Sequence, residues 1–270
     1  MASLLPTAVD IAREAGALLL NYFERRVAFE LKGEFDLVTE ADRASEKLVV
    51  ERLLTHFPSH AIVAEEGGGR DASSEFRWYV DPLDGTTNFA HGFPMWNVTL
   101  ACERAGEIVA GVIFDPLRQE LFTAERGGGA YLNNRRIRVS SARRIEEGLL
   151  ATGFPSRKRH GNINVHFFHQ VAMTSHGVRR GGAAALDLAY VACGRLDGYW
   201  EFGLKPWDMA AGMLLVDEAG GRTTDMKGGR AAVTGPHLVA TNSLMHDQVI
   251  ELFAEVFAGR YRYPMPPVTA

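Results

Sequence analysis

A chain of 270 residues that is 46% hydrophobic and 23% charged has the composition of a soluble globular protein, with apolar material for one large core or two joined ones. A formal net charge of −4 excludes a general attraction to nucleic acid, and the basic runs Arg135-Arg136-Ile137-Arg138 and Arg157-Lys158-Arg159 read as solvated loops. Cys102 and Cys193 each sit alone in an apolar stretch, which leaves no cysteine metal site or redox pair and makes a reduced, cytoplasmic setting the default.

Residues 4–23 are largely apolar, but Asp10, Arg13, Glu14 and Asn21 interrupt them and no basic leader precedes them. Neither a signal peptide nor a membrane span is expected. Val9, Ala12, Ala15, Leu19 and Phe23 instead recur at helical spacing, as do Ala41, Ala44, Leu48, Val49 and Leu53, so two helices open the chain. The second follows Thr39, with Asp42 three residues on in an arrangement close to a capping box, and ends before Pro58.

Residues 61–64, 77–80, 96–102, 108–114 and 120–124 are rich in β-branched and aromatic side chains and read as strands. Residues 131–137 form a hairpin turning at Asn133-Asn134, because Asn tolerates the left-handed backbone of a two-residue turn. Further on, helices at 165–173, 183–193, 208–218 and 244–257 alternate with strands at 178–180, 197–201 and 238–240, and the Pro-rich stretch from Tyr261 is irregular. Mixed α/β layers follow. The whole of 1–270 reads as one unit, with a loose internal split near 140–160 between an N-terminal half and a C-terminal α/β half.

The sharpest local feature is Asp81-Pro82-Leu83-Asp84-Gly85-Thr86-Thr87-Asn88-Phe89. A strand ends at Asp81, Pro82 cannot continue its ladder, and Gly85 allows a tight path into a helix opening at Thr86. Two carboxylates suited to hard cations thus meet the free amides of Gly85 and Thr86, which suit a phosphate. Alone, these aspartates read equally well as turn and cap residues. Glu65 and Glu66 at the end of the strand 61–64, Asp208 at a helix start and Asp42 in the first turn of the second helix add carboxylates in similar settings.

These segments resemble the inositol monophosphatase family. The likeness runs through Asp36 to Asp42, Ala64-Glu65-Glu66, Asp81 to Phe89 with His91-Gly92-Phe93-Pro94, Gly182-Ala183-Ala184, Trp207-Asp208 to Gly212, and Glu218 to Gly221, in family order over nearly the whole chain. The resemblance implies a layered α/β/α/β/α sugar-phosphatase fold, usually a homodimer. It also implies Mg²⁺ held by Glu65, Asp81, Asp84, Asp208 and the carbonyl of Leu83. Four carboxylates and a monoester of about −1.5 to −2 charge match two to three such ions. The implied reaction is phosphate-monoester hydrolysis by a metal-activated water, with Thr86, Asp42 and Glu65 catalytic and lithium as an inhibitor. Gly85 and Thr86 would meet the phosphate; Gly182, Ala183, Ala184 and Glu201 would face the polyol.

Within the family, Thr86-Thr87-Asn88-Phe89 looks like the branch acting on myo-inositol monophosphate, whereas nucleotide and histidinol relatives tend to carry Lys after the first Thr. Fructose 1,6-bisphosphate, histidinol phosphate and nucleotide phosphates are alternatives on the same scaffold. An aspartyl-phosphate mechanism calls for two Asp two apart on one strand, while Asp81 and Asp84 are three apart. A different class of function, a regulatory protein touching RNA or the transcription machinery, would not require the whole acid set together with Thr86.

Overall fold

A computed structural model describes residues 3–25, 29–33, 36–154 and 161–265. Its first layer is α1 (Leu4–Arg25) and α2 (Glu40–His56), joined through the antiparallel pair β1 (Phe29–Gly33) and β2 (Asp36–Thr39). Thr39 accepts from the amides of Ala41 and Asp42, and the Asp42 carboxylate accepts from the Thr39 amide, so the predicted capping box is present.

The second layer is a seven-stranded sheet in chain order: β3 (Ala61–Ala64), β4 (Phe76–Asp84), β5 (Asn97–Arg104), β6 (Glu107–Asp115), β7 (Glu120–Glu125), β8 (Gly129–Leu132) and β9 (Arg135–Arg136). Only β3 and β4 run parallel; every other pair is antiparallel. Asn133 and Asn134 both take positive φ, 48° and 63°, as the predicted hairpin requires. The short helix α3 (Thr86–Ala90) leaves the end of β4.

A second sheet has β10 (Leu149–Thr152), β11 (Gly177–Arg179), β12 (Gly198–Phe202), β13 (Arg222–Thr224) and β14 (His237–Thr241) in the order β11-β10-β12-β14-β13. Helices α5 (Ala184–Ala192) and α6 (Pro206–Glu218) fill the space between the two sheets. Helices α4 (Asn164–Thr174) and α7 (His246–Phe257) cover the far face of the second. Three apolar cores result: α1 and α2 on the first sheet, α5 and α6 between the sheets, and α4 and α7 on the second. The α/β/α/β/α order is the one the resemblance implied. Trp78, Trp96 and Trp200 lie fully inside it.

Several expectations shift. Strand β4 does not stop at Asp81 but resumes after a bulge and runs to Asp84. Helix α6 begins at Pro206, two residues before Asp208, because Pro suits the first helical turn. Strands β1, β2, β10 and β13 were not expected; each has three to five residues, too few for a period to declare itself. The Arg157-Lys158-Arg159 run lies outside the described residues, as do most of the predicted loop 154–161 and the last five residues of the irregular tail. None of the described helices is long and apolar enough to cross a membrane.

His246 carries a measurable consequence of this packing. Its ring is fully buried between the hydroxyls of Thr224 and Thr241, at 2.9 and 3.0 Å, and burial holds its pKa down at about 4. As pH falls from about 6.5, the unfolded chain takes up this proton before the folded one. Stability is therefore complete above that pH and lost as pH falls toward 4, by on the order of 3 kcal/mol. The urea midpoint of the wild type should fall between pH 7 and pH 4 by more than that of His246→Gln; equal falls would contradict the assignment.

Candidate active site

The site begins at the bulge. Asp81 pairs with Thr99 and Asp84 with Asn97, so Pro82 and Leu83 together oppose the single residue between them. Pro82 has no N–H to give, and the extra residue re-aims the strand end. The Leu83 amide donates to Asp81 Oδ1 at 3.0 Å. Gly85 then takes φ +92°, and a Cβ there would lie 2.9 Å from the Met95 carbonyl oxygen, so only glycine fits. Asn88 on α3 donates to the carbonyls of Met95 and Gly181, tying this turn to the approach to α5.

Helix α2 braces the turn from behind with three buried polar residues one helical face apart. Asp42 Oδ1 lies 2.8 Å from Thr86 Oγ1, while its Oδ2 accepts from the Thr39 amide and hydroxyl. Ser45 donates to the Pro82 carbonyl at 2.8 Å, and Glu46 accepts from the amides of Glu66 and Gly68, each at 2.7 Å. Sequence reasoning found Asp42 but missed Ser45 and Glu46. The available signal was polar residues at helical spacing where the buried stripe of Ala41, Val49 and Leu53 should be apolar.

Parallel pairing of β3 with β4 puts Glu65 beside Asp81, with the Glu65 amide donating to the Val80 carbonyl. Asp208, in the first turn of α6, accepts from the Lys205 amide at 2.7 Å. Asp84 accepts from Asn97 at 2.7 Å and from the amides of Ala184 and Ala185 at 3.2 and 2.9 Å, so it caps α5 across the boundary between the layers. The Ala184 amide is therefore already engaged.

The four acids repel one another. Burial first, then Glu65, Asp84 and Asp208, hold Asp81 well above the ordinary carboxylate range. Burial, then Asp84, Glu65 and Glu201, push Asp208 up against the pull of the Lys205 amide. Among the largest influences on Asp81 and Asp208 the charged groups are all acids. Among the described residues no group of three or more Asp, Glu, His or Cys side chains is arranged as a metal cage. An all-oxygen set of this kind fits a hard divalent ion and offers nothing to a zinc site built on Cys and His.

On the second sheet, Glu201 leaves β12 and accepts a hydrogen bond from the Tyr199 hydroxyl. Burial holds its carboxyl up at about 7, against the pull of Tyr199 and Arg180. Its carboxylate occupies the space that a side chain on Gly153 would need. Gly182 sits against Asn88, and Ala183, the N-cap of α5, is buried with its methyl facing Gly85. Ala183 thus brings no hydroxyl to the cleft.

A family model described as the inositol monophosphatase family matches residues 1–258. The chain is 47% identical to a protein of Pseudomonas aeruginosa named Nus factor SuhB, over 90% of this chain and 93% of that one. It is 43% identical to an inositol-1-monophosphatase of Mesorhizobium japonicum, over 96% and 98%. Its fold superimposes on the crystal structure of the extragenic suppressor protein suhB of Bartonella henselae with a TM-score of 0.88 at 43% identity, covering 92% of this chain and 97% of that one.

Proposed function

The chain belongs to the inositol monophosphatase family, and from that premise we propose that it hydrolyses a phosphate monoester of a small polyol, myo-inositol monophosphate, to the polyol and phosphate. The observation that carries the reading is a set of four acids, Glu65, Asp81, Asp84 and Asp208, beside the Thr86–Asp42 hydrogen bond, with Asp81 and Asp208 held above the ordinary carboxylate range by burial and by the neighbouring acids.

These four carboxylates and the Leu83 carbonyl would hold two to three Mg²⁺. The ions supply Lewis acidity, activating water for attack and stabilising the leaving oxygen. The chain's own groups do the rest. The Thr86 hydroxyl has one proton, which goes to Asp42 Oδ1 at 2.8 Å or the Leu83 carbonyl at 3.1 Å. Its lone pairs stay available to accept from, and so orient, the attacking water. Glu65 is the base that takes the water's second proton. The amides of Gly85 and Thr86 bind the phosphate oxygens, and Glu201, with the backbone of Gly182 to Ala184, faces the polyol. We further infer a cytoplasmic, lithium-sensitive homodimer; two unpaired cysteines support the reducing setting.

Phosphate release from myo-inositol 1-phosphate, fructose 1,6-bisphosphate, histidinol phosphate and adenosine 3',5'-bisphosphate, each with Mg²⁺ and with EDTA, tests the reading. Metal-dependent release, fastest on the inositol phosphate, is expected. A faster rival moves the substrate and keeps the chemistry. The name Nus factor carried by relatives favours one second reading, a regulatory role in transcription. No release from any substrate, with tight, salt-sensitive RNA binding, would put it first.

A further inference from the structure

Asp187 lies on the fourth residue of α5 and is 2% exposed. Among the described residues no N–H or O–H donates to its carboxyl group. Among the described residues the fully enclosed unpartnered polar atoms are Trp96 Nε1 and His169 Nε2, and the Asp187 oxygens are not among them. A buried carboxyl without a donor is costly unless something entering the cleft satisfies it. The capping of α5 does not use it either, because Asp84 takes the first amides of that helix.

The surroundings resemble those of Glu201. A Cβ on Gly181 would stand 2.7 Å from Asp187 Oδ1, just as Gly153 leaves room for the Glu201 carboxylate. Two acids are thus each seated over a glycine. Asp187 is held well above the ordinary range by burial, then by Glu201 and Asp84, with Arg180 pulling the other way. It therefore shares one electrostatic neighbourhood with a proposed metal ligand and a proposed polyol contact. A carboxyl oxygen accepts a hydrogen bond from a hydroxyl group. The Tyr199 hydroxyl already serves Glu201, leaving Asp187 as the group with its hydrogen-bonding capacity unspent.

We propose that Asp187 is a specificity-determining residue that, together with Glu201, hydrogen-bonds the ring hydroxyls of the polyol on the β12 side of the cleft. The inference rests on the phosphatase reading and adds to it the demand that the leaving alcohol carry more than one hydroxyl.

The test compares Asp187→Leu and Asp187→Asn with wild type on myo-inositol 1-phosphate and on p-nitrophenyl phosphate, whose leaving group has no ring hydroxyls. The expected result in the leucine variant is a fall of about tenfold or more in the ratio of kcat/KM for the first substrate to that for the second, expressed in KM. The asparagine variant, which keeps a donor and an acceptor, falls less. An unchanged ratio, or equal losses on both substrates in a variant that melts like wild type, overturns the proposal and leaves the phosphatase reading standing. If the leucine variant does not fold, Asp187→Ala is read in the same way. A wild type that releases phosphate from neither substrate removes the reading and the proposal together.

Discussion

In Asp81→Asn, magnesium-dependent phosphate release is expected to fall on the order of 10³-fold, while the protein in chelator melts at a higher temperature than wild type. The two effects have one cause. An ion aligned with the reacting phosphate is worth several kcal/mol of transition-state stabilisation, and each ~1.4 kcal/mol is tenfold in rate. The carboxylate that would help hold it is buried among Glu65, Asp84 and Asp208, which raise its pKa. Asparagine keeps an oxygen to accept from the Leu83 amide, 3.0 Å away in the wild type, and removes the charge. Folding without metal then no longer crowds four acids together. Thermal melts in EDTA and in Mg²⁺, beside a phosphate-release assay, separate the parts. Wild-type turnover, or a magnesium-induced rise in Tm as large as that of the wild type, would remove Asp81 from the ligand set.

Thr86→Ala should lower kcat by roughly 10² to 10³-fold, within the range for a positioned proton-handling group, with KM and Tm close to wild type. Asp42 fixes the direction of the Thr86 hydroxyl, and Asp42 is itself fixed by the Thr39 amide and hydroxyl at 2.7 and 2.6 Å. Removing the methyl alone leaves that chain intact, so Thr86→Ser should recover most of kcat. A purely structural threonine would show the opposite pattern, with loss of Tm and no rescue by serine. Unchanged kcat in the alanine variant would take Thr86 out of the water-positioning role.

Much of the scaffold is legible in the amino-acid sequence. The capping box of α2, the strand 61–64, the turn at Asn133-Asn134 and the opening of α3 at Thr86 all follow from local chemistry, in which a few neighbouring residues decide the outcome. The layered order came from family resemblance rather than from any period. What stayed hidden depends on contacts between residues far apart in the chain. That Ser45 and Glu46 brace the bulge from α2, or that Asp84 caps α5, is settled by how layers dock. Asp187 was invisible for the same reason: an acid in the first half of a helix reads as a favourable charge near its N-terminus, and only packing shows that it is buried with no hydrogen bond to its carboxyl group from the described residues.

The span of the Asp84 contacts has a consequence for how the molecule comes into being. Its partners Ala184 and Ala185 lie about a hundred residues downstream, and Asp208, the last of the four acids, follows later still. A chain growing on the ribosome can complete β3, β4 and the bulge while α5 and α6 have yet to be made, so for that interval Asp84 has no helix to cap. On the proposed ligand set, such a nascent chain would be unable to gather a complete metal centre, and competence would arrive as a late, single event of synthesis rather than growing with length.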